Sequence, residues 1–242
     1  MPEAVRFKDF ETIYATRGAY HRDARGFSAW FLEANYRAIV KHCRGAKRIL
    51  DIGCGEGCLV DYLESPPSDG LVGVDCSPEA IALAAKLSPG RYDQLLVGDL
   101  RTLSELALPA GSFDTVVCSL ALMYVMPDDL AGVLGGIAEL LADDGLLVAT
   151  YPTVGPHRKS AADAAELPPR ELVRAVTAAG YEIAELSPFC PFVTSAVVEG
   201  SNSDDPACVA AAKQAFETAR EEMTVESSYH FLCVARKPGA AR

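Results

Sequence analysis

Apolar residues alternate along this chain between two rhythms. Five short runs, "KRILDIG", "LVGVD", "YDQLLVGDL", "SFDTVVCSLAL" and "DDGLLVATYPT", are continuously apolar and end within a few residues at Gly, Pro or Asp. That is the pattern of strands buried on both faces. Between and around them the apolar positions recur every three or four residues. Leu32, Tyr36, Ile39, Val40 and Cys43 predict an amphipathic helix over 28–43, and Leu130, Val133, Leu134, Ile137, Leu140 and Leu141 predict another over 129–142. In "CSPEAIALAAKLSPG", Ser77 is placed to cap the first amides and Pro78 presets the first turn, so a helix starts there and stops near Gly90. "CLVDYLES" reads as a helix halted by Pro66 and Pro67, and "PPRELVRAVTAAG" as one that closes at Gly180.

The strands "YEIAELSPF" and "YHFLCVARK" follow, separated by a long excursion over 193–227. Within it Val209, Ala212, Phe216 and Ala219 share one face of a helix over 206–223. The first twenty or so residues are less regular. Strands alternating with helices imply an α/β fold, with a mostly parallel sheet wrapped by helices on both faces. At 242 residues, with no repeat of fixed period, one domain is expected.

Charge narrows the partners. A net charge of −11 disfavours nucleic acid, whose affinity comes from phosphates neutralised by Lys and Arg, and no basic cluster offsets it. "MPEAVRFKDFETIYATRGAY" lacks a secretory pattern, and no apolar run reaches membrane-spanning length, so a cytoplasmic protein without a membrane partner is expected. The eight cysteines are scattered with no Cys-x-x-Cys pair, and they read as reduced small hydrophobes with no metal site.

Candidate chemistry begins at "ILDIGCGEGCLV". Gly53, Gly55 and Gly57 are spaced Gly-x-Gly-x-Gly at the turn from the first strand, where a doubly wound sheet keeps its ligand crevice. Alone, the triplet is equally a plain strand-to-helix turn. Asp75 ends the second strand about twenty residues on, where a carboxylate accepts from ribose hydroxyls. Asp99 ends the third strand in "VGDL", where a carboxylate beside Leu100 can accept from an adenine amino group. Three strand ends with matching residues argue for a nucleoside-like ligand.

These motifs resemble those of the class I S-adenosylmethionine-dependent methyltransferases. The resemblance implies a Rossmann-like seven-stranded sheet whose last strand is antiparallel, with S-adenosyl-L-methionine as cofactor. Asp51, Gly53, Gly55 and Gly57 match the motif that holds the methionine end, and Cys54 within it is counted among the cofactor contacts. Asp75 with Cys76 would take the ribose and one adenine face, Asp99 and Leu100 the adenine, and Ser119 and Leu120 in "SFDTVVCSLALMYV" would lie beside the cofactor. Met123 and Tyr124 stand where ubiquinone-biosynthesis relatives tend to carry a Glu-His pair.

The implied layout is an N-terminal helical lid over 1–45, a cofactor-binding core over 46–192, an insertion over the active site at 193–227, and a last strand with tail at 228–242. "IYATRGAYHRDARGF" offers lid residues Tyr14, Tyr20, His21 and Arg25, with Tyr20 and Arg25 counted among the cofactor contacts. The loop "YPTVGPHRKS" offers Tyr151 and His157. His157 is the first candidate base and His21 the second, while Tyr124 either donates to the acceptor or packs; His42 and His230 read as structural.

The fourth-strand segment lacks the Asn- or Asp-Pro-Pro-aromatic motif of nucleobase amino methyltransferases, the aspartate of magnesium-dependent catechol enzymes and the Pro-Cys of cytosine-5 enzymes. A small-molecule acceptor remains, methylated on N, O or C by a monomer or homodimer, with secondary metabolism as the expected setting. The rivals are a methyltransferase acting on RNA or protein, a non-catalytic S-adenosylmethionine-binding partner protein, and a nicotinamide or nucleotide-sugar enzyme of the same topology.

Overall fold

The computed structural model describes residues 9–154 and 164–237. Seven strands form one sheet: β1 (Arg48–Ile52), β2 (Gly70–Asp75), β3 (Gln94–Val97), β4 (Phe113–Ser119), β5 (Leu141–Pro152), β6 (Glu182–Pro191) and β7 (Ser228–Arg236). Their spatial order is β3-β2-β1-β4-β5-β7-β6. The pairs among β1 to β5 are parallel, and β7 runs antiparallel between β5 and β6. Helices α1 (Phe10–Arg17) and α2 (Gly26–Val40) precede the sheet. α3 (Pro78–Leu87), α4 (Pro127–Leu140) and α5 (Pro169–Ala178) connect its strands, and α6 (Ser195–Ser201) with α7 (Pro206–Glu222) joins β6 to β7.

Both faces of the sheet are buried, which is why its strands read as unbroken apolar runs. On β1, Leu50 and Ile52 enter a core shared with Leu134 and Ile137 of α4 and Val176 of α5. Ile49 points the other way, into a core shared with Ile39 of α2 and Phe216 of α7. The α4 stripe lands as its spacing predicts, with Leu130, Val133, Leu134, Ile137 and Leu140 all buried. Leu141 instead opens β5, paired with Phe113; the register then shifts, and the strand resumes with Leu146 opposite Thr115. Ser77 Oγ accepts from the Ala80 amide at 3.2 Å and starts α3 as expected.

Three elements differ from the sequence expectation. "CLVDYLES" forms a single 3-10 turn, Cys58–Asp61, because Cys58, Leu59 and Val60 are buried in succession and three consecutive residues cannot share one α-helical face. α1 has Tyr14 as its one buried residue, so it has no apolar stripe to read; Asp9 caps it through the Thr12 amide at 3.1 Å. The excursion forms α6 and α7 and packs on α2: the Phe216 ring lies 6.0 Å from Phe27 and 5.8 Å from Trp30, and Ser201 Oγ accepts from the Phe27 amide at 2.8 Å.

A polar strut crosses the sheet beneath β2. Gly73 has no side chain, and a Cβ there would sit 2.9 Å from the Tyr92 ring. Through that gap the Tyr92 hydroxyl donates to Asp51 Oδ2 at 2.8 Å. Burial pushes the Asp51 carboxyl up to about 7, against the Tyr92 hydrogen bond that favours the anion.

Two predictions follow from this packing. Leu134 is fully buried between α4 and the sheet, so L134A should lower the unfolding free energy by about 2–5 kcal/mol in urea titrations. Asp51 has its folded pKa raised above the ordinary carboxylate value of about 3.9. Between about pH 4 and about 7 the unfolded chain has therefore released a proton that the folded protein keeps, and stability falls as pH rises through that window. D51N removes this contribution, so its stability relative to the parent should climb from pH 4 to pH 7; a difference that stays flat refutes the assignment.

Candidate functional site

The chain leaves β1 in a turn that only glycine tolerates. The amides of Gly53 and Cys54 both donate to the Val74 carbonyl of β2, at 2.7 and 3.0 Å. Gly53 and Gly55 have φ of +70° and +53°. A Cβ on Gly53 would lie 2.7 Å from the Ala121 Cβ, and one on Gly55 would collide with the Tyr14 hydroxyl. Asp75 fixes the loop from the next strand, its Oδ2 accepting from the Gly55 amide and its Oδ1 from the Ser77 amide, both at 2.9 Å. Burial raises the Asp75 pKa, opposed by these backbone donors. Gly57 serves packing, since a Cβ there would press on Ala84 and Tyr92 at 3.2 and 3.1 Å.

This turn borders a cavity of ≈ 610 Å³ along the carboxyl edge of the sheet. Its size lies within the roughly 300–1,000 Å³ of small-ligand sites. Gly53, Cys54, Gly55, Asp75, Cys76 and Leu100 line the part over β1 to β3. Ser119 and Leu120 continue it at the end of β4, where Leu120 holds φ +55°, a left-handed conformation costing about 1–2 kcal/mol for a side-chain-bearing residue. Its amide is held by Thr150 of β5, with the carbonyl and Oγ1 both at 3.2 Å. A smaller cavity of ≈ 250 Å³ shares His21, Leu32 and Tyr36 with the large one but carries none of the strand-end residues.

The N-terminal segment covers the large cavity. Tyr14 and Tyr20 line it with ring centroids 5.3 Å apart, and burial raises both phenols, Tyr20 to about 12. The segment is clamped to the glycine loop by Glu56, whose carboxylate accepts from the Arg22 amide at 2.6 Å and the His21 amide at 3.4 Å. The Arg22 guanidinium donates to the Gly57 carbonyl at 3.0 Å and pairs with Asp61 at 2.9 Å. Among the described residues, His21, Glu56 and Cys58 have ligand atoms within 4.8 Å of one another and could share a metal ion. Glu56 is already engaged as the clamp.

Of the residues singled out in the sequence, Tyr20, His21, Gly53, Cys54, Gly55, Asp75, Cys76, Leu100, Ser119, Leu120 and Tyr124 line one cavity. Four corrections stand beside them. The Asp51 carboxylate turns away from the cavity to Tyr92. Asp99 is engaged by Arg101, with Nε donating to its two oxygens at 2.9 and 3.0 Å, and the guanidinium lowers its pKa. Gly98 and Leu100 border the cavity in its place. Arg25 is exposed at the start of α2 and does not line it. None of the lining residues comes from 193–227, because that insertion spends its apolar face on Phe27 and Trp30 of α2. His157 lies outside the described residues.

Sequence reasoning missed Phe31, Asn35, Glu166 and Tyr229, and read His230 as structural; all five line the cavity. Asn35 carried a signal, since it falls on the apolar face of α2 between Leu32 and Ile39. Tyr151, offered as a loop residue, is buried, and its hydroxyl accepts from the Leu167 amide at 2.9 Å. No helix among the described residues is long and apolar enough to cross a membrane.

Comparison with known proteins adds independent support. Residues 50–147 match the family described as "Methyltransferase domain". The chain is 33% identical over 136 residues, 56% of its own length and 50% of the other's, to the ubiquinone biosynthesis O-methyltransferase of Bradyrhizobium diazoefficiens. It spans about half the length of the curated relatives it matches. N-methyltransferase NodS from Bradyrhizobium japonicum WM9, solved with S-adenosyl-L-homocysteine, superposes with a TM-score of 0.65 at 17% identity, covering 95% of this chain and 96% of NodS. The [4+2]-cyclase SpnF superposes with a TM-score of 0.65 at 16% identity and 98% coverage of each chain, so these two likenesses carry the fold and not the reaction. The matched segment, the seven-stranded sheet and the glycine loop agree, and residues 50–147 are those of a methyltransferase domain.

Proposed function

We propose that this protein binds S-adenosyl-L-methionine and moves its methyl group to a small-molecule acceptor, in the cytoplasm, as a monomer or homodimer. The observation that carries the reading is the row of residues at successive strand ends: Gly53 and Gly55 after β1, Asp75 after β2 and Leu100 after β3 all face one cavity. The residues fit the cofactor. Gly53 and Gly55 leave backbone where a Cβ would intrude. Each Asp75 oxygen accepts one amide and keeps a lone pair for a ribose hydroxyl. Cys76 and Leu100 offer apolar contact to an adenine ring, while Asp51 and Asp99, turned to Tyr92 and Arg101, stay outside the proposed contacts.

When bound, the cofactor supplies a methyl group on a positively charged sulfur, which needs no further activation. The work left to the chain is alignment and exclusion of water, and alignment alone is worth up to roughly 7–11 kcal/mol. Tyr14, Tyr20 and the segment clamped by Glu56 close the cavity from above. Ser119 and the strained Leu120 hold the floor between the cofactor half and the acceptor half. His21 and Tyr124, both lining the cavity, are the proposed groups for an acceptor proton.

A small acceptor is favoured because the N-terminal helices roof the site and the net charge is −11, which opposes polyanions. The relative named for O-methylation in ubiquinone biosynthesis supports the same class. Eight unpaired cysteines fit a reducing compartment.

Calorimetry tests the reading. S-adenosyl-L-homocysteine should bind and NAD should not; tight NAD binding without S-adenosyl-L-homocysteine binding overturns it. D75A should weaken S-adenosyl-L-homocysteine about 10- to 100-fold, the range for lost hydrogen bonds to a charged group. Unchanged affinity refutes the ribose assignment.

A further inference from the structure

The cavity follows the strand order. Its β1 to β3 portion is the cofactor half, and the remainder lies over the ends of β4, β5 and β7, since antiparallel β7 brings His230 opposite Pro152 at the same edge. Asn35 stands at the junction. It is 1% exposed, it lines the cavity, and its Nδ2 donates to Ser119 Oγ at 2.9 Å. Its Oδ1 is buried and has no hydrogen-bond partner among the described residues. Buried polar atoms are nearly always paired, and leaving an acceptor unmade is costly, so an oxygen fixed in direction beside a ligand cavity marks where a ligand donor belongs.

The surroundings define the rest of that ligand. Phe31, one turn before Asn35 on α2, also lines the cavity, with its ring 4.7 Å from that of His230. Tyr229 lies edge-on to His230 at 4.5 Å. Aromatic walls of this kind favour a flat aromatic guest.

We infer that Asn35 holds the methyl acceptor: its carboxamide, anchored by Ser119, accepts the O–H or N–H hydrogen of an aromatic acceptor seated against Phe31, Tyr229 and His230. This rests on the methyltransferase reading and names the substrate class of the same site. The hydrogen bond holds the heteroatom beside Asn35, whose partner Ser119 lies where the cofactor half begins.

The test is calorimetry on the full chain saturated with S-adenosyl-L-homocysteine, using matched probes: catechol against 1,2-dimethoxybenzene, and aniline against N,N-dimethylaniline. The donor-bearing member of at least one pair should bind on the order of tenfold tighter than its methylated counterpart. N35L should erase that preference while S-adenosyl-L-homocysteine affinity stays within about twofold of the parent, and N35D, which keeps an oxygen acceptor, should retain it. Absence of any preference in the parent, or its persistence in N35L, overturns the inference. Loss of S-adenosyl-L-homocysteine affinity in N35L also overturns it, by assigning Oδ1 to the cofactor. A parent protein that binds no S-adenosyl-L-homocysteine refutes the methyltransferase reading itself, and this inference with it.

Discussion

The site depends on how the chain turns at the end of β1. Two successive amides, Gly53 and Cys54, converge on the single Val74 carbonyl, and a third, Gly55, is taken by the Asp75 carboxylate. The loop is thereby tied to β2 at three points within three residues. Its backbone is held open to the cavity and cannot collapse into it. Positive φ at Gly53 and Gly55 makes the turn possible, and the missing Cβ atoms keep it passable for a ligand. The same carboxylate that completes the turn also faces the cavity, so the shape of the loop and the polarity of the site have one origin.

The roof is attached to that loop. Glu56 lies between Gly55 and Gly57 and reaches the amides of His21 and Arg22, while the Arg22 guanidinium returns to the Gly57 carbonyl. The Tyr14 hydroxyl rests on Gly55 where a side chain would otherwise be. Movement of the glycine loop on ligand binding would therefore be passed directly to the N-terminal segment. The α6–α7 pair acts one layer further out, with Ser201 and Phe216 gripping the start of α2. Its role is to set the position of the helix that carries Phe31 and Asn35.

The first five strands, the glycine turn and the start of α3 were legible in the sequence because each depends on local signals. Buried strands read as apolar runs, glycines mark the turn, and Ser77 marks a helix start. What stayed hidden depends on which partner each side chain takes in the fold. Asp99 looks like a free strand-end carboxylate until Arg101 folds back onto it. Asp51 looks like part of the glycine motif until Gly73 lets Tyr92 reach it. His230, set between Tyr229 and Phe231 in an apolar strand, gives no sign that antiparallel pairing will bring it to the carboxyl edge opposite Pro152. Length and its place between the last two strands point the insertion at 193–227 over the site, and its stripe of Ala212 and Phe216 says that it packs without saying on what.

The two halves of the cavity differ in how their polar groups are satisfied, and the difference is physical in origin. Over β1 to β3 the strong donors and the carboxylate already bond to one another, so that half keeps its shape by itself and can meet a ligand with the lone pairs left over. Over β4 and β7 the walls are rings, which pack without fixing a direction, and orientation falls to the few polar atoms among them. Asn35 is suited to that task because Ser119 holds one end of its amide and the helix holds its backbone, leaving Oδ1 with little freedom. An oxygen so constrained discriminates by direction as well as by distance. On the proposed reading, the half that keeps its own shape suits the cofactor, and the ring-lined half steered by one fixed oxygen suits the methyl acceptor.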